Sequence, residues 1–450
     1  MRRATKRRAR GVLLLYDRPT LPWEFKYADN VIENIAAFGR HSRFRVWPYN
    51  VEYGFRPGLR KVEFDAVVLH YSVFIPRENY MLGEQMIDWL SRSEAYKVAF
   101  FQDEHHYCRM RFDFLDAAGV DCVYSMLRQP HADEVYSRVP GVTSVVPHLP
   151  SYVGSELVEA AAVYAKPDGE REIDIGYRGR PMPAYMGRGA LEKKEIGDRF
   201  VEAARDSGLT LDIKTGEHDR LYAEDWHRFT ADSRGTLGTE SGVSCFDIED
   251  EVRESYERLS ANGHEPTIAE LEHDGPLVRW DGKIPYRTMT PRNFEAAAFG
   301  GCQVLFEGEY SGVMEPMRHY IPLRKDFSNV DEAIELFKQP DVRAELTRNA
   351  HEDLIASGRY TYAELIAGFD AKLADAGLSP ESEPAGDRVA SKALRRGLLE
   401  RWARWRQTRL SWLWLHHRPI WVPAHLVLRP IKSAIIVGSR ILQAFGLREA

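Results

Sequence analysis

The stretch TPRNFEAAAFGG, residues 290–301, sets a single carboxylate, Glu295, among small residues ahead of an apolar run, CQVLF. Thr290 and Pro291 make a good helix start, because a threonine hydroxyl satisfies a free amide and proline has none to satisfy. The positive end of the helix dipole then lies beside Arg292, a site suited to an anion such as a diphosphate. Glu295, one turn further in, is placed to accept both hydroxyls of a ribose in charge-assisted hydrogen bonds. The same spacing also fits a solvated charge on the outside of an ordinary αβ unit.

Three other stretches carry chemistry. In IGYRGRPMPAYMGRGALEKKEIG, residues 175–197, a strand ending near Gly176 is followed by Arg178, Arg180, Arg188, Lys193 and Lys194. That spacing puts cations where a diphosphate would lie, or else makes a basic solvated loop. In FFQDEHHYCR, residues 100–109, Asp103, Glu104, His105, His106 and Cys108 crowd together. Chain neighbours rarely converge on one ion and the zinc spacings are absent, so no metal is expected. The loop suits a polar site at the strand ends in which Asp103 or His105 acts as general base, and His70 in LHYS is equally well placed. GTESG, residues 238–242, offers turn amides around Thr239 and Glu240 for a phosphate or a base edge.

The elements that must hold these residues alternate strand and helix. Strands are expected at 12–16, 43–47, 66–70, 97–101, 121–125 and 143–147, with amphipathic helical stretches between them. Such alternation predicts a parallel sheet covered on both faces, with ligands at the carboxyl ends of its strands. A turn at KPDG, near residue 167, separates this unit from a second alternating series. The expected organisation is a basic arm over 1–10, a Rossmann-like domain over 11–165 and a second Rossmann-like domain over 166–376. A linker over 377–390 and a basic tail over 391–450 follow.

The net charge of −6 divides unevenly: residues 1–10 carry +6 and residues 391–450 carry +10, which leaves −22 on residues 11–390. An acidic body argues against a nucleic-acid partner. The tail interleaves Trp402, Trp405, Trp412, Trp414 and Trp421 with arginine, a composition suited to the interface of an anionic membrane. Packing against the body of the chain or a partner protein is the other possibility. Four scattered cysteines form no CxxC pair, and GVLLLY is too short for a signal-peptide core. The expected location is therefore the cytoplasm, peripheral at the cytoplasmic face of the inner membrane.

RNFEAAAFGGCQVL resembles the helix-Glu, Ala and Gly signature of the carboxy-terminal domain of GT-B glycosyltransferases, enzymes of two Rossmann domains that use nucleotide sugars. GTESGVSCFD and FEGEYSGVMEPMRHYIPLRKDFSNVDEAIELF resemble the CgeB-like bacterial group within that superfamily of group 1 glycosyl transferases. The resemblance covers residues 172–375, and by architecture alone 11–165. It implies an α/β protein of two doubly wound domains facing a cleft, 11–165 for the acceptor and 166–376 for the donor, with Glu295 on the donor ribose and the helix start with Arg292 facing the phosphates. Arg180, Arg188 and Lys193 would meet the leaving diphosphate without a metal or other cofactor. Many retaining members carry a second glutamate eight positions before the helix glutamate, where this chain has Arg287; Glu307, Tyr310 and Glu315 are the alternatives for contacting the sugar. The implied activity is hexosyl transfer (EC 2.4) from a nucleotide sugar to a glycan, lipid-linked or protein acceptor in bacterial cell-surface polysaccharide synthesis. A catalytically silent scaffold binding nucleotide or glycan, and a sugar-nucleotide epimerase, are the competing expectations.

Overall fold

The computed structural model describes residues 7–18, 29–74, 82–241, 243–273 and 275–380. The tryptophan-rich tail, residues 1–6 of the basic arm and most of the expected linker lie outside them.

Two parallel sheets organise the chain. The first comprises β1 (Arg7–Tyr16), β2 (Val46–Asn50), β3 (Val62–Leu69), β4 (Tyr96–Phe100), β5 (Cys122–Ser125) and β6 (Ser144–Pro147), in the order β2-β1-β3-β4-β5-β6. The second comprises β7 (Ile173–Arg178), β8 (Leu211–Lys214), β9 (Ser233–Gly238), β10 (Cys302–Phe306) and β11 (Ile321–Leu323), in the order β11-β10-β9-β7-β8. Each domain thus winds outward from its own first strand in both directions. A crevice opens at the carboxyl edge where the direction reverses, between β1 and β3 and between β7 and β9. Central strands read as continuous apolar runs because helices cover both faces: all five residues of β10 are buried, whereas edge strands β6 and β8 are half-exposed.

Local chemistry moves several boundaries from their expected places. β1 starts at Arg7, pairing Arg7 with Val62 and Ala9 with Phe64, so part of the expected basic arm is strand. The register then shifts between Ala9 and Val12, and Gly11 takes φ +110° there. A Cβ at Gly11 would stand 2.2 Å from the Arg45 carbonyl oxygen, which leaves only glycine for this bulge. β2 begins at Val46 rather than 43, because Ser42 and the Arg43 amide bind the Asp370 carboxylate at 2.7 and 2.6 Å instead of pairing.

Two segments cross between the domains. The final described helix, Tyr362–Asp375, follows the second domain in sequence but packs on the first: Tyr362, Leu365, Ile366, Phe369 and Leu373 join Val12, Phe38 and Phe100 in one apolar cluster. The segment 243–286 supplies three short helices, Glu251–Leu259, Ile268–His273 and Pro276–Trp280. Their Val252, Leu271, Leu277 and Trp280 belong to the same cluster as Trp89, Phe101 and Leu115 of the first domain. Asp250 then caps the first domain's helix Cys108–Ala118, accepting from the Cys108 amide at 2.8 Å and the Arg109 amide at 3.0 Å. All four cysteines are free and buried. Among the described residues no helix is long and apolar enough to cross a membrane.

Candidate active site

The helix Pro291–Ala298 runs toward β10, so its amino end lies at the carboxyl edge of the second sheet. Its start is fixed by the Asn293 side chain, which accepts from the Thr290 amide at 2.8 Å and donates to Gln303 at 2.9 Å. Glu295 is half-buried, and its Oε2 accepts from the indole N–H of Trp226 at 2.9 Å. The Arg292 guanidinium lies 5.0 Å from the centre of the same indole and donates to the Arg178 carbonyl.

Beyond β7 the cations separate into two groups. Arg180 is exposed, and Lys193 is half-buried in the first turns of the helix Gly189–Ala203. Burial, then the charges of Arg292 and Arg180, bring the Lys193 ammonium down to about 8, against the opposing pull of Asp103. Lys193 and Arg292 both lie at the end of β7, where the Tyr177 hydroxyl donates to the Lys193 carbonyl at 2.8 Å and Arg292 donates to the Arg178 carbonyl, so this edge is cationic. Arg178 and Arg188 are engaged elsewhere. Arg178 is buried over Phe229 and binds Asp212 at 2.7 Å. Arg188, expected to meet phosphate, instead binds Glu272 at 2.8 Å with Asp281 nearby, because the short helices of 243–286 bring those acids to it.

Arg287 has a structural partner set. It pairs with Glu192 and lies 3.4 Å from Glu240, and Lys325 binds the other oxygen of Glu192 at 3.0 Å. The cation at the position of the missing acid is therefore neutralised from two sides. Glu240 is buried, and its Oε1 accepts from the amides of Glu309 and Tyr310 at 3.1 and 2.9 Å. The loop can approach so closely because a Cβ at Gly308 would stand 2.5 Å from Glu240 Oε2. The expected ligand roles of Glu240 and Thr239 thus give way to internal ones: Glu240 holds the loop after β10, and Thr239 is buried with its hydroxyl on the Glu240 carbonyl. Tyr310, expected to contact sugar, is wholly buried with its hydroxyl on the Phe306 carbonyl at 2.7 Å. Glu307 and Glu315 remain exposed on that loop.

The first sheet presents Asp103 and His105 from the loop after β4. Asp103 is open to solvent yet closely surrounded; that enclosure pushes its carboxyl up, while Lys193, Arg111 and Arg180 pull it down. The Glu104 amide donates to the Tyr286 hydroxyl at 3.3 Å, which sets this loop against the segment 243–286. His105 is buried, its ring 3.9 Å from that of His106 and 5.3 Å from that of Tyr286. Neither ring nitrogen has a hydrogen-bond partner among the described residues. Burial, then His106, Arg111, Arg253 and Lys193, hold the imidazole far below its ordinary range, so it is neutral. His70, expected as a candidate base, is fully buried: its Nδ1 accepts from the Ser72 amide at 3.0 Å and its Nε2 lies 3.2 Å from Asn34 Oδ1. Glu104, the other acid of the loop, is buried on Ser125, the Met126 amide and the Tyr136 hydroxyl. Among the described residues no three His, Cys, Asp or Glu side chains converge as a metal site.

Sequence reasoning missed Trp226, the Glu192–Arg287–Glu240 chain and Thr288, whose buried hydroxyl has no partner among the described residues. One signal was available for Trp226: a tryptophan in the otherwise charged stretch YAEDWHRF.

No family model matches the chain, and no curated protein matches it. Among solved structures it is similar to TarM, at 12% identity and TM-score 0.36 over 71% of this chain and 55% of TarM. It is similar to an alpha-glucosyltransferase solved with UDP and a 13-mer DNA, at 12% identity and TM-score 0.46 over 82% of this chain and 99% of that one. It is also similar to HepE of Anabaena solved with UDP, at 8% identity and TM-score 0.43 over 81% and 100% of the two chains. The match thus spans only about half the length of TarM. The strand orders carry the fold assignment independently of these likenesses: two Rossmann-like doubly wound α/β units in series.

Proposed function

We propose that this chain is a glycosyltransferase, moving a sugar from a nucleotide donor held by the second domain to an acceptor approaching from the first. The observation that carries this reading is the position of Lys193 and Arg292 at the end of β7, with Arg180 two residues beyond that strand and Glu295 one turn behind Arg292. A nucleoside diphosphate has that shape of charge: a ribose for the carboxylate and a diphosphate for the cations and the helix start. As the glycosidic bond breaks, charge develops on the diphosphate, and preorganised cations stabilise it without a metal. Asp103 is the acid we assign to take the acceptor's proton: it is exposed on the loop after β4, at the carboxyl edge of the first sheet.

The acceptor class we favour is a glycan, lipid-linked or protein hydroxyl in bacterial surface polysaccharide synthesis. The work would be done at the cytoplasmic face of the inner membrane, with residues 391–450 on anionic lipid. The test is to incubate the protein with UDP-, GDP-, dTDP- and CMP-sugars, with and without acceptor glycans, and to measure nucleotide release. Release that depends on acceptor is the expected result. Release of nucleotide and free sugar from donor alone would point to the epimerase-like reading. Binding without any release would point to a silent scaffold, the reading favoured by Arg287 at the usual acid's position. For the tail, the full chain should float with anionic liposomes and a chain ending at residue 380 should not; equal flotation contradicts the lipid role.

A further inference from the structure

Resting on the nucleotide reading above, we propose that Trp226 is the positioning residue of the nucleoside subsite, holding the Glu295 carboxylate for the ribose hydroxyls and the Arg292 guanidinium for the phosphates. Trp226 comes from a different unit, the helix Ala223–Asp232 that precedes β9, and is half-buried. Its N–H donates to Glu295 Oε2 at 2.9 Å while its ring carries Arg292 at 5.0 Å. Phe229, 5.7 Å away on the same helix, supports the indole from below and carries the buried Arg178 on its own ring at 4.1 Å. Arg292 closes the circuit by donating to the Arg178 carbonyl.

A carboxylate offers about four acceptor positions, so the indole bond orients Glu295 without by itself excluding a ribose. The indole is donor-only and rigid, and it therefore selects one rotamer of the glutamate. The two halves of the role are separable by substitution. Phenylalanine keeps a ring beneath Arg292 but has no N–H for Glu295, whereas alanine removes both.

The test measures binding of UDP, GDP and ADP, each against its 2′-deoxy form, with pyrophosphate as the probe that lacks a nucleoside. For whichever base binds, wild type should prefer the ribonucleotide about tenfold, the value of one good hydrogen bond. Trp226→Phe should reduce that preference to within about twofold and leave pyrophosphate binding unchanged. Trp226→Ala should lose the preference and also weaken pyrophosphate several-fold, roughly what an exposed cation–π contact supplies. A merely structural tryptophan would shift the melting temperature without moving the ribose-to-deoxyribose ratio. If Trp226→Phe keeps the ratio while Glu295→Ala abolishes it, the ribose site stands and the role of Trp226 is overturned. If Glu295→Ala keeps it too, the nucleotide reading itself fails and this proposal falls with it.

Discussion

The two domains share a winding order but use the carboxyl edges of their sheets differently. At the first edge, titratable side chains are abundant and largely consumed inside the fold: His70 on Ser72 and Asn34, His148 on the Phe101 carbonyl, Glu104 on Ser125, Met126 and Tyr136. Burial brings the His70 imidazole down to about 3 and that of His148 to about 4, so neither switches charge near neutrality. At the second edge, Arg180 and Arg292 stay exposed and Lys193 half-buried, each within reach of the others' charge. A polar residue at a strand end is therefore a weak sign of chemistry. Like charges left close together are a stronger one, because folding alone gives no reason to assemble them.

The contrast can be broken most sharply at Asp103. Asp103→Asn should lower the turnover rate by roughly 10²- to 10⁴-fold, the usual span for a general base, with the melting temperature unchanged. A stable variant with near-normal turnover would move the base elsewhere in the cleft. Glu104→Ala, one residue on, should behave in the opposite way. Losing the acceptor for three buried donors should cost about 3 kcal/mol of stability, read by denaturant unfolding, with nucleotide affinity preserved.

The next test is electrostatic. Lys193 is protonated below about pH 8 and loses its charge above it, so nucleotide affinity should fall as pH rises from 7 to 9. A decline of about tenfold is expected from the loss of one charge-assisted contact. Lys193→Arg should flatten that dependence, because a guanidinium keeps its charge over the whole range. A decline that persists in Lys193→Arg would assign the titration to another group. The smallest effect is expected from Arg188→Ala: with its charge already taken by Glu272 and Asp281, nucleotide affinity should stay within about twofold of wild type.

Much of the fold was legible because its signals are local. Apolar runs such as VVL in β3 and CQVLF in β10 admit few readings once turns bound them, and Thr290-Pro291 marks a helix start by itself. The strand order and the reach of individual side chains were not legible, because they depend on packing between distant segments. The helix Tyr362–Asp375 carries an apolar face that suits either sheet, and only the packing of Phe369 against Phe38 and Phe100 shows which one it covers. At the site, the types of residue were legible while the partners each one takes were not. Arg188 and Tyr310 stand near enough in sequence to serve a ligand, but the segment 243–286 captures the first and the core beneath β10 the second. Arg287 illustrates the same point in reverse. An apparent loss of a site acid proves to be a cation held between Glu192 and Glu240, two acids that sequence spacing does not connect.

The central claim is that the second domain binds a nucleotide through the helix that bears Glu295. Titration calorimetry of UDP, GDP, ADP and CMP into the wild-type chain and into Glu295→Ala tests it most directly. One of these nucleotides should bind wild type and lose affinity about 10²-fold in the variant, the value of two charge-assisted hydrogen bonds, with the melting temperature of the unliganded protein unchanged. Equal affinity in the two proteins, or no binding by the folded wild type, would contradict the account.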